Sequence, residues 1–399
     1  MGAVDEKDSV TTLALTIAAR DIIGTGGGTV ALESAKGLAR LGHRVALITD
    51  VPVDASIARA DGIEVRTTRW GPRLKRWQAR GKVARSTKHF AQMFAFVVEG
   101  RRLMRQAEAR GEITIDHNGE TAGGDVVVVH NVFKSQWMAD RRRWYRRIPQ
   151  LLNPTFWLRL VRERAVLSDD RRQVVAVSPE TAEEVHRALG RRRAVTVIRS
   201  GVDVDRFSPA AAGEGFRSGP DHRTIVFSGH EFERKRLDLV IAALAQLPPS
   251  YRLRVAGGRF SSRERYEAQA AQLGVADRVE FLGTVADAPA LYRGADVFAL
   301  PSDYETWGLV CMEALACGVP VVMSRVGCAE EVIVAGETGQ IVGYDAHEIA
   351  GAIAALTSDA TTLAAARRHA RAMAERYAWS TVSRDYERVA LAVRASVHV

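Results

Sequence analysis

Two carboxylates, Glu305 and Glu313, bracket the run Thr306, Trp307, Gly308, Leu309 in the segment PSDYETWGLVCMEALACGVPVV. Upstream, DVFALPS (296–302) reads as a buried strand running into a loop. Downstream, LVCMEALACG (309–318) has the apolar spacing of a helix that stops at Gly318, followed by a strand at 319–323. The first acid therefore falls at a strand-to-helix corner and the second about two turns into the helix. The first N–H groups of a helix lack internal partners and attract a phosphate or a polar sugar oxygen. A carboxylate at that corner would repel phosphate, so its expected partner is a neutral hydroxyl. One acid for each of two polyol groups, with an anion site between them, describes a nucleotide-sugar. The plain alternative is a helix whose N-terminal acid suits the macrodipole and whose second acid is solvated.

A pair of fixed cations strengthens the first reading. In SGHEFERKRLDLVIAAL, Arg234 and Lys235 follow a strand and a loop, near the start of the next helix. Two cations there would neutralise a diphosphate, and charge-assisted hydrogen bonds contribute roughly 1.5–3 kcal/mol each. Arg236 reads as an ordinary exposed basic residue. Gly26, Gly27 and Gly28 follow the first strand and let the backbone approach a ligand. Gly257 and Gly258 end the strand LRVAGG in the same way. His130 closes the apolar run DVVVVH and His117 ends TIDH; a histidine at a strand's carboxyl end faces the ligand side of an open sheet, although most single histidines are structural. No Cys, His or acid set has metal-ligand spacing, so a metal-independent chemistry without cofactor is expected, the cationic pair supplying the electrostatics.

These residues need elements to position them. A strand (11–20), the loop DIIGTGGG, a helix starting at Thr29 and a strand (43–50) open a parallel sheet, with further strands expected at 62–66, 112–116, 125–130, 173–177 and 194–198. Basic helical material lies at 73–110 and 135–168. After RSGVDVDRFSP (199–209) a second alternation begins: strands at 224–228, 252–256, 278–281, 296–300 and 319–323, with helices at 236–246, 262–273, 287–293 and 307–317. Regular alternation with short connections predicts a second parallel sheet. A chain of 399 residues suits two such domains.

The pattern PSxxExxGxxxxEAxAxGxPV, followed by SRVGCAEEVI and GETGQIV, resembles the donor-binding half of glycosyltransferase family 4. The resemblance is close over 224–345 and thinner elsewhere. It implies an α/β, GT-B architecture, with two Rossmann-like doubly wound domains facing across a cleft and a last helix crossing back. The expected limits are 1–203, 204–375 and 376–399. It implies that Gly229 belongs to a glycine-rich corner, that Arg234 and Lys235 hold the leaving diphosphate, and that Glu313 grips the ribose. It further places Gly27 and Gly28 against acceptor and donor phosphate and His130 beside the donor sugar. Val285, in FLGTV, falls in the loop that contacts the base, and Glu305, Thr306, Trp307, Gly308 and Leu309 orient the sugar. The chain departs from the pattern at His230, at Arg236, and at Cys328, which replaces the second glycine ahead of Glu331. Its F-x-R-K variant is closer to lipopolysaccharide-core glucosyltransferases.

Charge and composition bound the rest. From Arg66 to Arg110 there are 13 Lys/Arg against two acids, with Trp70, Trp77 and Phe90 interleaved; a second basic stretch, 134–172, holds Trp137, Trp144, Tyr145 and Trp157. Such a surface suits an anionic membrane or a phosphorylated acceptor; a general arginine bias is the alternative, and nucleic acid is not expected as a partner. No apolar run approaches the roughly 20 residues of a membrane span. The polar start MGAVDEKDSV and three cysteines without paired spacing predict a cytoplasmic protein, either free or peripheral on the membrane's cytoplasmic face. The expected activity is transfer of a sugar from a UDP- or GDP-linked donor to an acceptor hydroxyl on a glycan or lipid-linked acceptor, with retention, in cell-envelope glycan synthesis. A catalytically silent sugar-nucleotide-binding protein is the alternative.

Overall fold

The computed structural model describes residues 12–22, 24–51, 61–139, 151–210, 222–258 and 260–397. The N-terminal decapeptide and Trp144 and Tyr145 of the second basic stretch lie outside them. The chain divides into two compact units, Met1–Ile198 with Val382–Val399, and Arg199–Thr381.

The first unit is built on a seven-stranded sheet ordered β3-β2-β1-β4-β5-β6-β7. Its strands are β1 (Ala14–Ala18), β2 (Arg44–Thr49), β3 (Glu64–Thr67), β4 (Ile113–His117), β5 (Val126–Val129), β6 (Gln173–Ala176) and β7 (Thr196–Val197). Every pairing is parallel. The valine run of β5 is wholly buried, as a strand covered on both faces must be. Strand order reverses between β1 and β4, and the loops leaving those two strands diverge around the crevice where open sheets hold ligands.

The second unit repeats the plan with six strands ordered β10-β9-β8-β11-β12-β13. They are β8 (Arg223–Ser228), β9 (Tyr251–Ala256), β10 (Val279–Gly283), β11 (Val297–Leu300), β12 (Val321–Ser324) and β13 (Gly339–Val342), again all parallel. Here the reversal falls between β8 and β11. The segment carrying Arg234 and Lys235 leaves β8, and the segment carrying Glu305 leaves β11, so residues about 70 positions apart emerge side by side.

One helix start is corrected, and the two basic stretches resolve into separate helices. The first helix, α1 (Gly26–Arg40), starts at Gly26 rather than at Thr29, so the glycine triplet is its first turn. The Thr25 hydroxyl accepts the Gly28 N–H at 3.1 Å and caps the helix, which offsets the poor helix propensity of glycine. The basic stretch 73–110 is two helices, α2 (Gly71–Arg76) and α3 (Lys82–Ala109), interrupted at Gly81, whose φ of 85° no helix accommodates. The second stretch holds α4 (Phe133–Ala139) and α5 (Pro154–Leu167), the latter begun by Asn153 accepting from the Thr155 N–H.

The second unit runs from Arg199 to Thr381, against expected limits of 204 and 375, and its two ends are tied together. Val202 N–H donates to the Tyr377 carbonyl, Trp379 N–H donates to the Val202 carbonyl, and the Trp379 ring lies over Gly201. From Val382 the last helix, α6 (Trp379–Val397), belongs to the first unit, where Glu387 meets His43 Nε2 at 2.8 Å. All three cysteines are free and buried. Among the described residues, no single helix is long and apolar enough to cross a membrane.

A Cβ at position 28 would lie 1.9 Å from the Asp21 carbonyl oxygen and 2.7 Å from Ile22 Cα. Gly28→Ala must therefore shift the β1-to-α1 backbone, and its thermal midpoint should fall by the equivalent of about 1–3 kcal/mol. An unchanged midpoint by scanning calorimetry would contradict that approach.

Candidate functional site

In the second unit, the Lys235 ammonium lies 2.7 Å from Glu305 Oε1, and an Arg234 guanidinium nitrogen lies 3.3 Å from the same oxygen. Lys235 is buried, and Glu305 is largely so. The lysine stem reaches Glu305 because residue 229 has no side chain: a Cβ there would sit 2.2 Å from Lys235 Cδ. Gly257 is fixed by a similar approach, since its φ is +88° and a Cβ would meet the Gly229 carbonyl at 2.3 Å. Glycines expected to admit a ligand thus also admit other parts of the chain.

The segment after β11 is stitched to the cations through residues that sequence alone did not single out. Asp303 N–H donates to the Arg234 carbonyl at 2.8 Å, and the Ser302 hydroxyl donates to the Tyr304 carbonyl at 3.0 Å. The Arg234 guanidinium also donates to the Tyr304 carbonyl. Ser302 in turn receives the Ser324 hydroxyl on its carbonyl, which anchors the corner to β12. Arg236 is occupied by Asp238 and Asp303, as expected of a residue outside the site.

The helix at the corner is α7 (Leu309–Ala316), capped by Gly308 at φ 98° with no side-chain cap. The Cys311 N–H returns to the Gly308 carbonyl at 2.9 Å, which leaves the Leu309 and Val310 N–H groups for an external acceptor. Thr306, Gly308 and Leu309 stand at this end, but the Trp307 indole does not. Its ring is 2% exposed, packed 5.6 Å from Tyr377, with its N–H unpartnered. Trp307 serves the core through its side chain and the corner only through its backbone. The Cys328 substitution has a packing role: Cys328 N–H donates to the Trp307 carbonyl at 2.7 Å, and its buried sulfur lies near Gly308. Glu331 pairs with Arg199. Val285 is half-buried against the second unit's core.

Glu313 is partly buried, and the Tyr292 hydroxyl donates to it at 3.0 Å. Burial pushes its carboxyl up to about 7, against the lowering pull of that hydroxyl, Arg206 and Lys235. Tyr292, in the short helix Ala288–Arg293, had no signal in the sequence beyond an aromatic at a helix end.

In the first unit, His130 and His117 form one pair, with His117 Nδ1 and His130 Nε2 2.8 Å apart and the rings stacked. Burial lowers His130 to about 4; burial, then His130, lowers His117 further. Both are neutral at pH 7, so one nitrogen donates and the other accepts. His117 Nε2 is buried without a partner, which favours the tautomer that leaves a lone pair there rather than a stranded N–H. His130 Nδ1 then carries a proton. The ring lies against Gly27, where a Cβ would come within 3.1 Å, and the His130 backbone N–H donates to Asn118 Oδ1 at 3.0 Å. Among the described residues no group of three or more His, Cys, Asp or Glu is arranged to hold a metal ion.

Comparison with known proteins finds matches in both units. Residues 214–373 match the family model described as glycosyl transferases group 1, and residues 24–206 match that of glycosyltransferase family 4. A D-inositol 3-phosphate glycosyltransferase of Mycobacterium sp. (strain KMS) is 36% identical over 225 residues, 53% of this chain and 51% of that protein. The chain thus spans about half the length of the curated relatives it matches. Among solved structures, sucrose-phosphate synthase of Thermosynechococcus elongatus superposes with a TM-score of 0.77 at 20% identity, over 96% of this chain and 100% of that one. Anabaena HepE in complex with UDP and glucose gives 0.69 at 19% identity, over 94% and 99%. The fold is GT-B.

The raised Glu313 pKa predicts a pH signature. The unfolded carboxyl ionises near 4.5 and the folded one near 7, so the folded state loses stability as pH rises across that window. Glu313→Gln removes the loss. Its thermal midpoint should match wild type below pH 4.5 and exceed it above pH 7, by at most about 3 kcal/mol equivalent. Parallel pH profiles would contradict the burial of an ionisable Glu313.

Proposed function

The chain belongs to glycosyltransferase family 4, and on that premise we propose that it transfers a sugar from a nucleotide diphosphate donor to an acceptor hydroxyl. The observation that carries the reading is the three-residue ion cluster of Arg234, Lys235 and Glu305 beside the uncapped start of α7. A diphosphate is the ligand that two adjacent cations and a free helix N-terminus neutralise together. In the donor-free protein Glu305 occupies those cations. An arriving diphosphate takes them over and frees the Glu305 carboxylate to accept hydroxyls of the sugar. Glu313, one turn into α7, takes the ribose hydroxyls, and its Tyr292 bond holds it in place.

Arg234 and Lys235 then stabilise charge growing on the leaving diphosphate, which is catalysis by preorganised electrostatics and positioning. No metal is needed in this scheme. A UDP-linked donor is supported by the UDP and glucose in the complex of the structural relative HepE. Retention of anomeric configuration goes with the family resemblance, with His130 beside the donor sugar and Gly27 and Gly28 toward the phosphates. A role in cell-envelope glycan or glycolipid synthesis is the physiological setting that fits best. Exposed Trp70 and Trp77, which flank the basic helix α2, and exposed Trp157 on α5 support docking on an anionic membrane surface.

The Glu305 mechanism separates kcat from affinity. Glu305→Gln removes a negative charge that competes with the diphosphate and also removes the sugar-orienting group. Turnover of UDP-glucose should fall at least tenfold while the UDP dissociation constant stays equal or tightens. Weaker UDP binding at unchanged turnover would contradict the proposed role. A wild type that binds UDP yet turns over no donor would leave a silent sugar-nucleotide-binding protein.

A further inference from the structure

A cavity of about 100 Å³ lies in the first unit at the carboxyl ends of its central strands. Arg20 reaches it from the segment after β1, Asn118 and Glu120 from after β4, Asn131 from after β5, and Arg159 and Arg162 from α5. Its wall is continuous with the histidine site, because Asn118 both lines the cavity and accepts the His130 backbone N–H.

Glu120 and Glu163 offset the charge of Arg159 and Arg162, but the guanidinium donors in this cavity are not satisfied from within. Among the described residues, neither Arg159 nor Arg162 has a hydrogen-bond or ion-pair partner, and Arg162 Nε is buried without one. Burial, ahead of any neighbouring charge, lowers the pKa of both guanidiniums. Arg159 lies over the Phe133 ring, 4.6 Å from its centroid, which holds the guanidinium without satisfying its donors. The two acids present are already engaged elsewhere. Both Glu163 oxygens accept backbone N–H groups of Phe133 and Lys134, and Glu120 accepts the Arg20 N–H at 2.7 Å. Arg20 itself leans on Asp21 at 3.1 Å. Buried guanidinium donors left open are costly, and a fold retains them where a ligand completes them.

We propose that this cavity seats a phosphate group carried by the acceptor. The inference rests on the transferase reading for the word acceptor, but not for the phosphate. Two guanidinium forks converging from successive turns of α5 fit the oxygens of a phosphate bidentately, and the Asn118 and Asn131 amides suit hydroxyls next to it. The volume takes one phosphate-sized group and leaves the rest of the acceptor outside, toward His130 and Gly27. The acceptor class is therefore a phosphorylated polyol or a phospholipid headgroup, which share this chemistry.

Calorimetric titration with inorganic phosphate and with inositol 3-phosphate, and co-sedimentation with phosphatidylinositol vesicles, test the proposal. At least one probe should bind wild type, and binding should weaken tenfold or more in Arg162→Gln and in Arg159→Gln. Loss confined to the soluble probes identifies a free polyol phosphate; loss confined to vesicles identifies a headgroup. Lys235→Ala should retain the binding. Binding unaltered in both arginine variants, absent from wild type for every probe, or lost in Lys235→Ala alone would overturn the proposal. Should one arginine variant fail to fold, the other carries the test. No donor or turnover enters these titrations, so failure of the transferase reading leaves their outcome separate.

Discussion

The ion cluster of Glu305 with Lys235 and Arg234 is the constraint on which the second unit's architecture depends. A buried ammonium must be paired, and the pairing here crosses the point where strand order reverses. Gly229 exists to let the lysine stem pass, Gly257 to let the next strand's end close on Gly229, and Ser302 to tie the two segments by their carbonyls. A cluster so supported is preorganised for a ligand that exchanges with the carboxylate. The cations need not move when a diphosphate arrives; only Glu305 must let go.

The first unit solves a related problem with neutral groups. Its glycine triplet is a helix turn capped by Thr25, pressed so closely on the Asp21 carbonyl that no side chain fits at position 28. The His117–His130 pair remains uncharged because burial costs more than protonation returns. Beside this neutral wall lie the open guanidiniums of Arg159 and Arg162. The unit thus places an uncharged face next to a cationic one, suited to a ligand that is part hydroxyl and part anion.

Much of this was legible in the sequence, for physical reasons. Short buried strands such as VFAL and VVVV alternate with amphipathic helices, so the two-sheet plan and the strand-end placement of Glu305, Lys235 and His130 follow from periodicity alone. Partners chosen by tertiary packing were not legible. Nothing in the spacing of Tyr292 and Glu313, or of Glu163 and the Phe133 N–H, signals that they meet. The direction of the Trp307 ring was not legible either, because a motif gives positions and not the direction a side chain takes; it turns into the core. The break at Gly81 was hidden by a basic pattern that continues across it, and the start of α1 by glycine's poor propensity, which the Thr25 cap outweighs.

The central claim is that Lys235 and Arg234 are held ready for a diphosphate. Calorimetric titration of UDP, GDP and ADP into wild type and Lys235→Ala tests it most directly. The account predicts micromolar binding of one nucleotide to wild type, weakened at least tenfold in the variant. Equal binding to both proteins, or no nucleotide bound by wild type, would contradict it.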